Sequence, residues 1–390
     1  MAVKLTSVRQ SEPNGVVFRD EFLNIDFALI PTGGKNTAHA PALIETEDGG
    51  LLCAWFAGSF EGSGDISIAV SKLDPETQVW SVPDIVSKGL DRSEQNPAFF
   101  RAPDGQIWLI YTSQVSRQEG KDNMQFTSII MVQKSSDEGQ SWGEPEVLFA
   151  SEGTFSRQAI QILSNGRWIF ATWLCEDSPE GLTNDPTEFQ VSDDQGQTWR
   201  AVRMPDSNGR VHANVIEVKA GHLVAFMRSR FADHVYTSES FDFGDSWSVP
   251  EANVLPNNNA SISAIKLQSG EIALAYNVNA ANNAEFGKVA WPGLRNPVAV
   301  SVSEDFGKTW PIGRVFECAE GFIGIENKTN NAQYEYPTLY QDSKGVLHLV
   351  YAYKNRICVK YVRFTVADLF GEKRETEGLY NPTSGEGVEK

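Results

Sequence analysis

Ionisable side chains recur near the ends of short apolar segments along this 390-residue chain. Those with the chemistry for a common site are His39, Glu61, Arg157, His212, Arg228, Arg295 and Tyr336. Guanidinium groups that face one cavity can bind a carboxylate through paired, charge-assisted hydrogen bonds. Histidine transfers protons near neutral pH, and tyrosine becomes a nucleophile when its neighbours lower the cost of ionisation. These residue types indicate a site for an acidic ligand, provided that the fold brings them together.

Six apolar hairpins separate these side chains along the chain. Each consists of an apolar run, a glycine-containing turn and a second apolar run, and they begin at Pro41, Pro97, Gln158, Ala213, Ser263 and Pro337. Strand content and turn chemistry of this kind predict β-hairpins. A third strand-like run follows each hairpin, so the sequence indicates six similar antiparallel units.

An eight-residue motif, Ser-x-Asp-x-Gly-x-(Ser/Thr)-Trp, follows four of the third runs. Its copies are SSDEGQSW, SDDQGQTW, SFDFGDSW and SEDFGKTW, at 135–142, 192–199, 240–247 and 303–310. Asp and Ser side chains bond local backbone N–H groups, and Gly supplies the positive φ of a turn. The Trp then packs apolar area against a neighbouring unit. We therefore predict that the motif is structural and takes no part in chemistry.

Six such units predict an all-β fold, a six-bladed β-propeller with four antiparallel strands in each blade. The sixth unit lacks a fourth strand, and the early segment 16–30 is expected to supply it and close the ring. We expect one propeller over 16–370, a flexible N-terminus at 1–15 and a polar C-terminal tail at 371–390. The first strand of each blade lines the central channel, so residues at the starts of these strands converge on one pocket.

The composition excludes several functions. The chain has 33 Lys and Arg against 51 Asp and Glu, a net charge of −18, which argues against binding to nucleic acid or an anionic membrane surface. The four cysteines are far apart, and no third ligand accompanies His39 and His212, so neither a metal nor another cofactor is predicted. The first residues lack the apolar core of a secretory signal, and no apolar run is long enough to span a membrane. We therefore expect a cytoplasmic protein.

The motif copies and hairpins over 16–370 resemble those of the sialidase superfamily, six-bladed propellers with Asp-box (bacterial neuraminidase) repeats. The resemblance implies roles for three residues. Tyr336 matches the family's nucleophile, and Arg228 and Arg295 match two of the three arginines that bind the substrate's carboxylate. The resemblance therefore implies an exo-acting glycosidase whose partner is an oligosaccharide or glycan with a terminal acidic sugar.

Three positions depart from the family's pattern. His39 stands where the first arginine of the triad is expected, and His212 stands where a glutamate activates the tyrosine. Glu61 stands in place of the aspartate that serves as the acid, with Asp65 as its rival. Further substrate-binding candidates, from their places at the starts of blades, are Asn96, Arg157 and Asn259. The departures put sialic acid itself in question as the substrate.

Two other functions remain open on the same residues. In a uronate-dependent lyase, arginine neutralises the carboxylate, a His or Tyr removes the adjacent proton, and a second group protonates the leaving oxygen. Related propellers that release rhamnose from glucuronate use such sets, although some of them carry a histidine where this chain has Phe60. The third alternative is a carbohydrate-binding propeller without catalysis.

In the glycosidase that the resemblance implies, Tyr336 would be the nucleophile, His212 the base that activates Tyr336, and Glu61 the acid that protonates the leaving oxygen.

Overall fold

The computed structural model describes residues 12–370 apart from 22, 88, 90, 119–123, 179–180, 292–293, 319–332 and 354. Six antiparallel sheets form six blades, which confirms the predicted all-β six-bladed propeller. Helix in this part of the chain is limited to 3₁₀ turns at Gln125–Thr127 and Gly181–Asn184 and a short α-helix at Val366–Phe370, none of them long or apolar enough to cross a membrane. The predicted tail at 371–390 and most of the predicted flexible segment 1–15 lie outside the described residues.

Blades one to three follow the chain in order. Blade one contains Thr37–Glu45, Leu51–Gly58, Ser67–Asp74 and Val79–Trp80, and Asp84–Ile85 also pairs with its third strand. Blade two contains Arg92–Arg101, Ile107–Val115, Ile129–Ser135 and Glu146–Phe149. Blade three has an interrupted inner strand, Thr154–Ser156 and Gln161–Ile162, followed by Trp168–Leu174, Thr187–Ser192 and Arg200–Arg203.

Blades four to six continue the same pattern. Blade four contains Arg210–Lys219, His222–Ser229, His234–Ser240 and Glu251–Pro256. Blade five contains Ser263–Lys266, Ile272–Asn277, Val298–Ser303 and Ile312–Glu317. Blade six contains Glu335–Gln341, Leu347–Tyr353 and Cys358–Phe364, and Ile25–Ile30 and Phe18–Asp20 complete its sheet.

The N-terminal segment closes the ring as predicted. Ile25–Ile30 pairs antiparallel with the third strand of blade six, and Phe27 lies opposite Val362. Ala28 and Ile30 are fully buried in the apolar layer that joins blade six to blade one. Full burial of a large aliphatic side chain such as that of Ile30 contributes about 1.5–3 kcal/mol to the stability of the fold. The strand therefore pairs the backbone at the edge of blade six and also adds apolar packing between blades six and one.

The core consists of apolar layers between adjacent blades, and the eight-residue motifs help to build them. Trp310 of blade five packs edge-on against Phe226 of blade four at 5.8 Å, and Trp247 of blade four stacks on Phe189 of blade three at 4.3 Å. In every copy the Asp Oδ1 accepts a hydrogen bond from the N–H of the following Ser or Thr at 2.8–2.9 Å. These are the contacts predicted for a structural turn.

Candidate functional site

A bulge near the start of the inner strand recurs in four blades and positions the candidate residues. The strand pairing shifts register at Ala40, Asn96, His212 and Tyr336, each of which has a positive φ between 50° and 56°. A non-glycine residue in this region is strained, and an extra residue in a strand re-aims its side chain. Three of these residues, Asn96, His212 and Tyr336, line the same cavity.

This cavity has a volume of about 290 Å³ and a mainly polar lining. The residues that surround it come from all parts of the ring, namely Glu61, Gln95, Asn96, Arg117, Gln125, Phe155, Trp173, Leu182, His212, Arg228, Arg230, Trp291, Arg295, Tyr336 and Arg356. A larger cavity of about 470 Å³ lies further along the inner strands, where the hairpins supply a mostly apolar lining. The smaller cavity collects the ionisable groups, so it is the candidate site.

Tyr336 lies among arginines. Nη1 of Arg228 donates a hydrogen bond to its hydroxyl oxygen at 2.6 Å, and the Cζ atoms of Arg228 and Arg295 each lie 5.5 Å from its ring centre. Burial alone would raise the pKa of Tyr336, but Arg228 and Arg295 outweigh burial and lower this pKa below its ordinary value. The surroundings therefore favour the phenolate, which is the nucleophilic form.

Arg228 is held by groups on three blades. Its Nε donates to Asn259 Oδ1 at 2.8 Å, and its Nη1, besides binding Tyr336, lies 3.2 Å from Nε2 of His212. Burial lowers the pKa of Arg228 to about 10, which leaves it protonated at neutral pH. Its buried Nη2 has no hydrogen-bond partner within the described part of the chain. A ligand oxygen at this position would satisfy that donor.

A second group of charges surrounds Glu335. Its Oε2 accepts hydrogen bonds from Arg295 Nη1 at 3.1 Å and from Arg356 Nε at 2.8 Å, and it forms an ion pair with Arg356 Nη2 at 2.6 Å. Arg356 also forms an ion pair with Glu61 through Nη1. Burial would raise the pKa of Glu61, but Arg356, together with Arg295 and Arg228, outweighs burial and lowers this pKa below its ordinary value, so the Glu61 carboxyl is ionised here.

Both predicted histidines are buried and neutral. Burial and then neighbouring arginines lower the pKa of each well below the ordinary value. His212 stacks on Trp173 at 4.4 Å, and its Nδ1 lies 3.1 Å from Ser261 Oγ. The His39 ring packs against the ring of Tyr336 at 4.2 Å with a tilt of 46° between them, and its Nδ1 approaches Glu335 to 3.3 Å without a hydrogen bond from any described residue.

The structure brings some of the predicted site residues together and places others behind them. Those that line the cavity are Glu61, Asn96, His212, Arg228, Arg295 and Tyr336. His39 and Asn259 are fully buried behind it, in contact with Tyr336 and Arg228 respectively. Arg157 lies 5.9 Å from the Tyr336 ring, and its Nη2 donates to the Pro41 carbonyl at 2.9 Å.

Asp65, the rival candidate for the acid, lies outside this cavity. Its carboxylate accepts hydrogen bonds from the N–H of Ser59 at 3.0 Å and from the Ser59 hydroxyl at 2.7 Å. Hydrogen bonds from Ser63 and Ser59 lower its pKa against the opposing effect of burial. Asp65 therefore shapes the loop that carries Glu61.

Sequence reasoning missed Arg230 and Arg356. Arg230 follows Arg228 by two positions, lines the same cavity and pairs with buried Asp185 at 2.6 Å. Arg356 lies in the turn between the second and third strands of blade six, just as Glu61 lies in the corresponding turn of blade one. The signal for both was geometric, because these turns and the starts of the inner strands share one end of each blade.

The described residues include no group of three or more His, Cys, Asp or Glu side chains arranged to hold a metal ion. The candidate site therefore consists of guanidinium groups, carboxylates, neutral imidazoles and a phenol. Such a set can bind an anion, supply a phenolate nucleophile and transfer protons.

The fold is similar to that of several solved structures. A Hadza microbial sialidase superposes with a TM-score of 0.67 at 17% identity, over 85% of this chain and 66% of that chain. The NanB sialidase of Streptococcus pneumoniae gives 0.67 at 15% identity, over 92% of this chain and 71% of that one. A protein of unknown function from Dyadobacter fermentans gives 0.67 at 16% identity, over 87% and 98% respectively. At these identities the likeness shows the fold alone.

Sequence comparison gives the family. Sialidase B of Streptococcus pneumoniae serotype 4 is 30% identical over 112 residues, which is 26% of this chain and only 15% of that protein. Residues 49–349, most of the chain, match the BNR repeat-like domain family. This match agrees with the four motif copies and the six blades. The chain therefore belongs to the BNR repeat-like domain family and is a propeller of the sialidase superfamily.

Proposed function

We propose that this chain is an exo-acting glycosidase that hydrolyses a terminal acidic sugar from an oligosaccharide or glycan. The observation that carries the proposal is the hydrogen bond from Arg228 to Tyr336, in a cavity that also holds Arg295 and Glu61. One arginine thereby touches the nucleophile, and its other terminal nitrogen has no hydrogen-bond partner among the described residues. A cavity of about 290 Å³ suits one sugar ring, which is the reason for exo action.

Arg228 and Arg295 bind the sugar's carboxylate in this proposal. Nη2 of Arg228 supplies an unpaired donor, and the Arg295 guanidinium donates to Glu335 through Nη1. Trp291 is 53% exposed and lies 5.5 Å from Cζ of Arg228, which places an aromatic face beside the bound anion. Aromatic faces pack well against the apolar faces of sugar rings.

Hydrolysis then takes two steps. The Tyr336 phenolate attacks the anomeric carbon, the bond from that carbon to the leaving oxygen breaks, and Glu61 delivers a proton to this oxygen. Water next attacks the same carbon, Glu61 takes the water's proton, and Tyr336 leaves as the phenolate. His212 positions Arg228 in this scheme, because its Nε2 lies 3.2 Å from Arg228 Nη1, the nitrogen that also binds Tyr336.

Two of the three solved neighbours are described as sialidases, so glycosides of sialic acid are the first substrates to test. The histidine at position 39 makes glycosides of other acidic sugars, such as uronic acids, the second group. A panel of both, incubated with wild type and with Tyr336→Phe, is analysed by mass spectrometry of the products. The proposal requires products that have gained one water and a Tyr336→Phe variant that makes none.

The second candidate is the uronate-dependent lyase. It is favoured by one observation, namely that a neutral His212 lies in the cavity beside Arg228. In such a lyase the arginine neutralises the substrate's carboxylate, and a neutral histidine can remove the proton from the adjacent carbon. Elimination adds no water and leaves an unsaturated uronate that absorbs ultraviolet light, so the same panel separates the two reactions. Ligands that bind without any product would instead support the carbohydrate-binding propeller.

A further inference from the structure

Arg356 belongs to the same cluster as Arg295, although it comes from a different blade. Both guanidinium groups donate to one oxygen atom, Oε2 of Glu335, at distances of 3.1 Å for Arg295 and 2.6 and 2.8 Å for Arg356. Two groups bound to the same oxygen are necessarily neighbours. Arg356 also lines the cavity, so it lies within reach of the anion that Arg295 is proposed to bind.

Arg356 forms ion pairs with two carboxylates, one on a buried strand and the other on a more exposed loop. The Glu335 side chain is only 5% exposed and lies in a strand of blade six, where it is fixed. The Glu61 side chain is 40% exposed and lies in a loop beside Gly62, whose φ of +89° is a conformation open to glycine. Of the two partners, Glu61 is the one that can leave.

The charges around Arg356 balance only while one mobile carboxylate is present. Arg228, Arg295 and Arg356 contribute three positive charges to this part of the cavity, and the fixed Glu335 and the proposed Tyr336 phenolate oppose two of them. Glu61 supplies a further negative charge, as a ligand carboxylate would. Adding a ligand carboxylate beside an ionised Glu61 brings like charges together in a poorly solvated space, which is unfavourable.

We propose that Glu61 occupies Arg356 in the empty site as an internal carboxylate, and that the carboxylate of an acidic sugar displaces it and frees it to serve as the acid. This inference rests on the proposed function and adds that substrate binding determines when Glu61 can act as the acid. In the ion pair, Glu61 has no proton to give. Once it is displaced, the groups that still face it are Arg117, Arg228, Arg295 and Tyr336, and it takes up a proton from water before the leaving oxygen receives it. A neutral sugar leaves the ion pair intact, so the device also selects for acidic substrates.

The test is a binding measurement that needs no turnover. Glu61→Gln removes the competing charge and keeps the side chain's shape. We expect it to bind N-acetylneuraminic acid or glucuronic acid about tenfold more tightly than wild type, as measured by calorimetry, with galactose unchanged. Glu188→Gln is the matched control, since it removes a carboxylate that pairs with Arg203 at 2.6 Å outside the cavity. It changes the net charge equally and should leave both affinities at their wild-type values.

Arg356→Gln completes the design. In its background, Glu61→Gln should give no gain in affinity, because the guanidinium that the two carboxylates share is absent. The inference is overturned if Glu61→Gln binds neither acid more tightly than wild type, if Glu188→Gln shows the same gain, or if the gain persists without Arg356. Circular dichroism confirms that each variant folds. Failure of the proposed function shows differently, as wild-type protein that releases no product from any acidic glycoside.

Discussion

Replacing Arg228 with methionine removes the charge and donors at the centre of the proposed site while keeping most of the side chain's length. In the wild type, Nη1 donates to the Tyr336 hydroxyl oxygen at 2.6 Å, and Nη2, which has no hydrogen-bond partner among the described residues, is proposed to bind the ligand. A hydrogen bond to a charged group contributes about 1.5–3 kcal/mol, so losing one to the phenolate and one to the ligand costs about 3–6 kcal/mol. With each tenfold in rate worth about 1.36 kcal/mol, kcat/KM for an acidic substrate should fall by about 10²- to 10⁴-fold.

The same variant has a readout that needs no substrate. Arg228 and Arg295 lower the pKa of Tyr336 against the effect of burial, so the phenolate persists to lower pH than in an ordinary tyrosine. Without Arg228 the ionisation of Tyr336 moves to higher pH, and the part of the rate profile that depends on the phenolate moves with it. Ultraviolet difference titration measures this ionisation after the Tyr336→Phe titration is subtracted. Arg203→Met, at an exposed arginine outside the cavity, is the control. An unchanged Tyr336 titration in Arg228→Met would refute the reasoning.

Three further predictions concern the support of the site and the fold. His212→Ala should lower kcat/KM by about tenfold, because it removes one hydrogen bond to Arg228. It should leave the acidic limb of the pH profile in place, because burial and neighbouring arginines keep His212 neutral in the wild type. Loss of that limb in the variant would contradict this. Ile30→Ala should cost about 2–5 kcal/mol in urea unfolding, whereas exposed Ile162→Ala should stay within about 0.5 kcal/mol, and equal effects would contradict the role of the closing strand. Gly307→Ala should cost about 1–3 kcal/mol, because its φ is +88° and its Cβ would collide with the Phe226 ring; an unchanged unfolding midpoint would contradict this.

The fold was predictable because its signals are local. Each hairpin carries its own turn glycine, as at Gly105 with a φ of +88°, and each motif copy makes its hydrogen bonds within eight residues. Ring closure was also predictable, since the sixth unit lacked a strand and 16–30 offered one. The additional pairing of Phe18–Asp20 and of Asp84–Ile85 was not, because two- and three-residue strands carry too little pattern to distinguish them from loops.

Site residues could be predicted from the sequence only where the position of a residue along its blade also determines whether its side chain lines the cavity. Tyr336 and Arg228 lie at the end of the blade that the hairpin pattern locates, and both line the cavity. His39 occupies an equivalent place in sequence, but it lies one residue before the bulge at Ala40 and is buried beneath Tyr336 instead. Arg356 went unrecognised because its role depends on contacts with residues from other blades, and one sequence does not show which turns meet in space.

The joint between blades six and one, where the ring closes, also contains the ion pair between Arg356 and Glu61. Arg356 lies two residues before the third strand of blade six, to which the N-terminal strand is paired, and its carbonyl accepts a hydrogen bond from the N–H of Ala38 in blade one at 2.7 Å. Its guanidinium crosses the same joint to Glu61 of blade one. Loss of the closing strand would expose the edge of the third strand of blade six, the strand that Arg356 precedes. Blades six and one must lie side by side for the acid and its arginine to meet, so the proposed control of the acid depends on a closed ring.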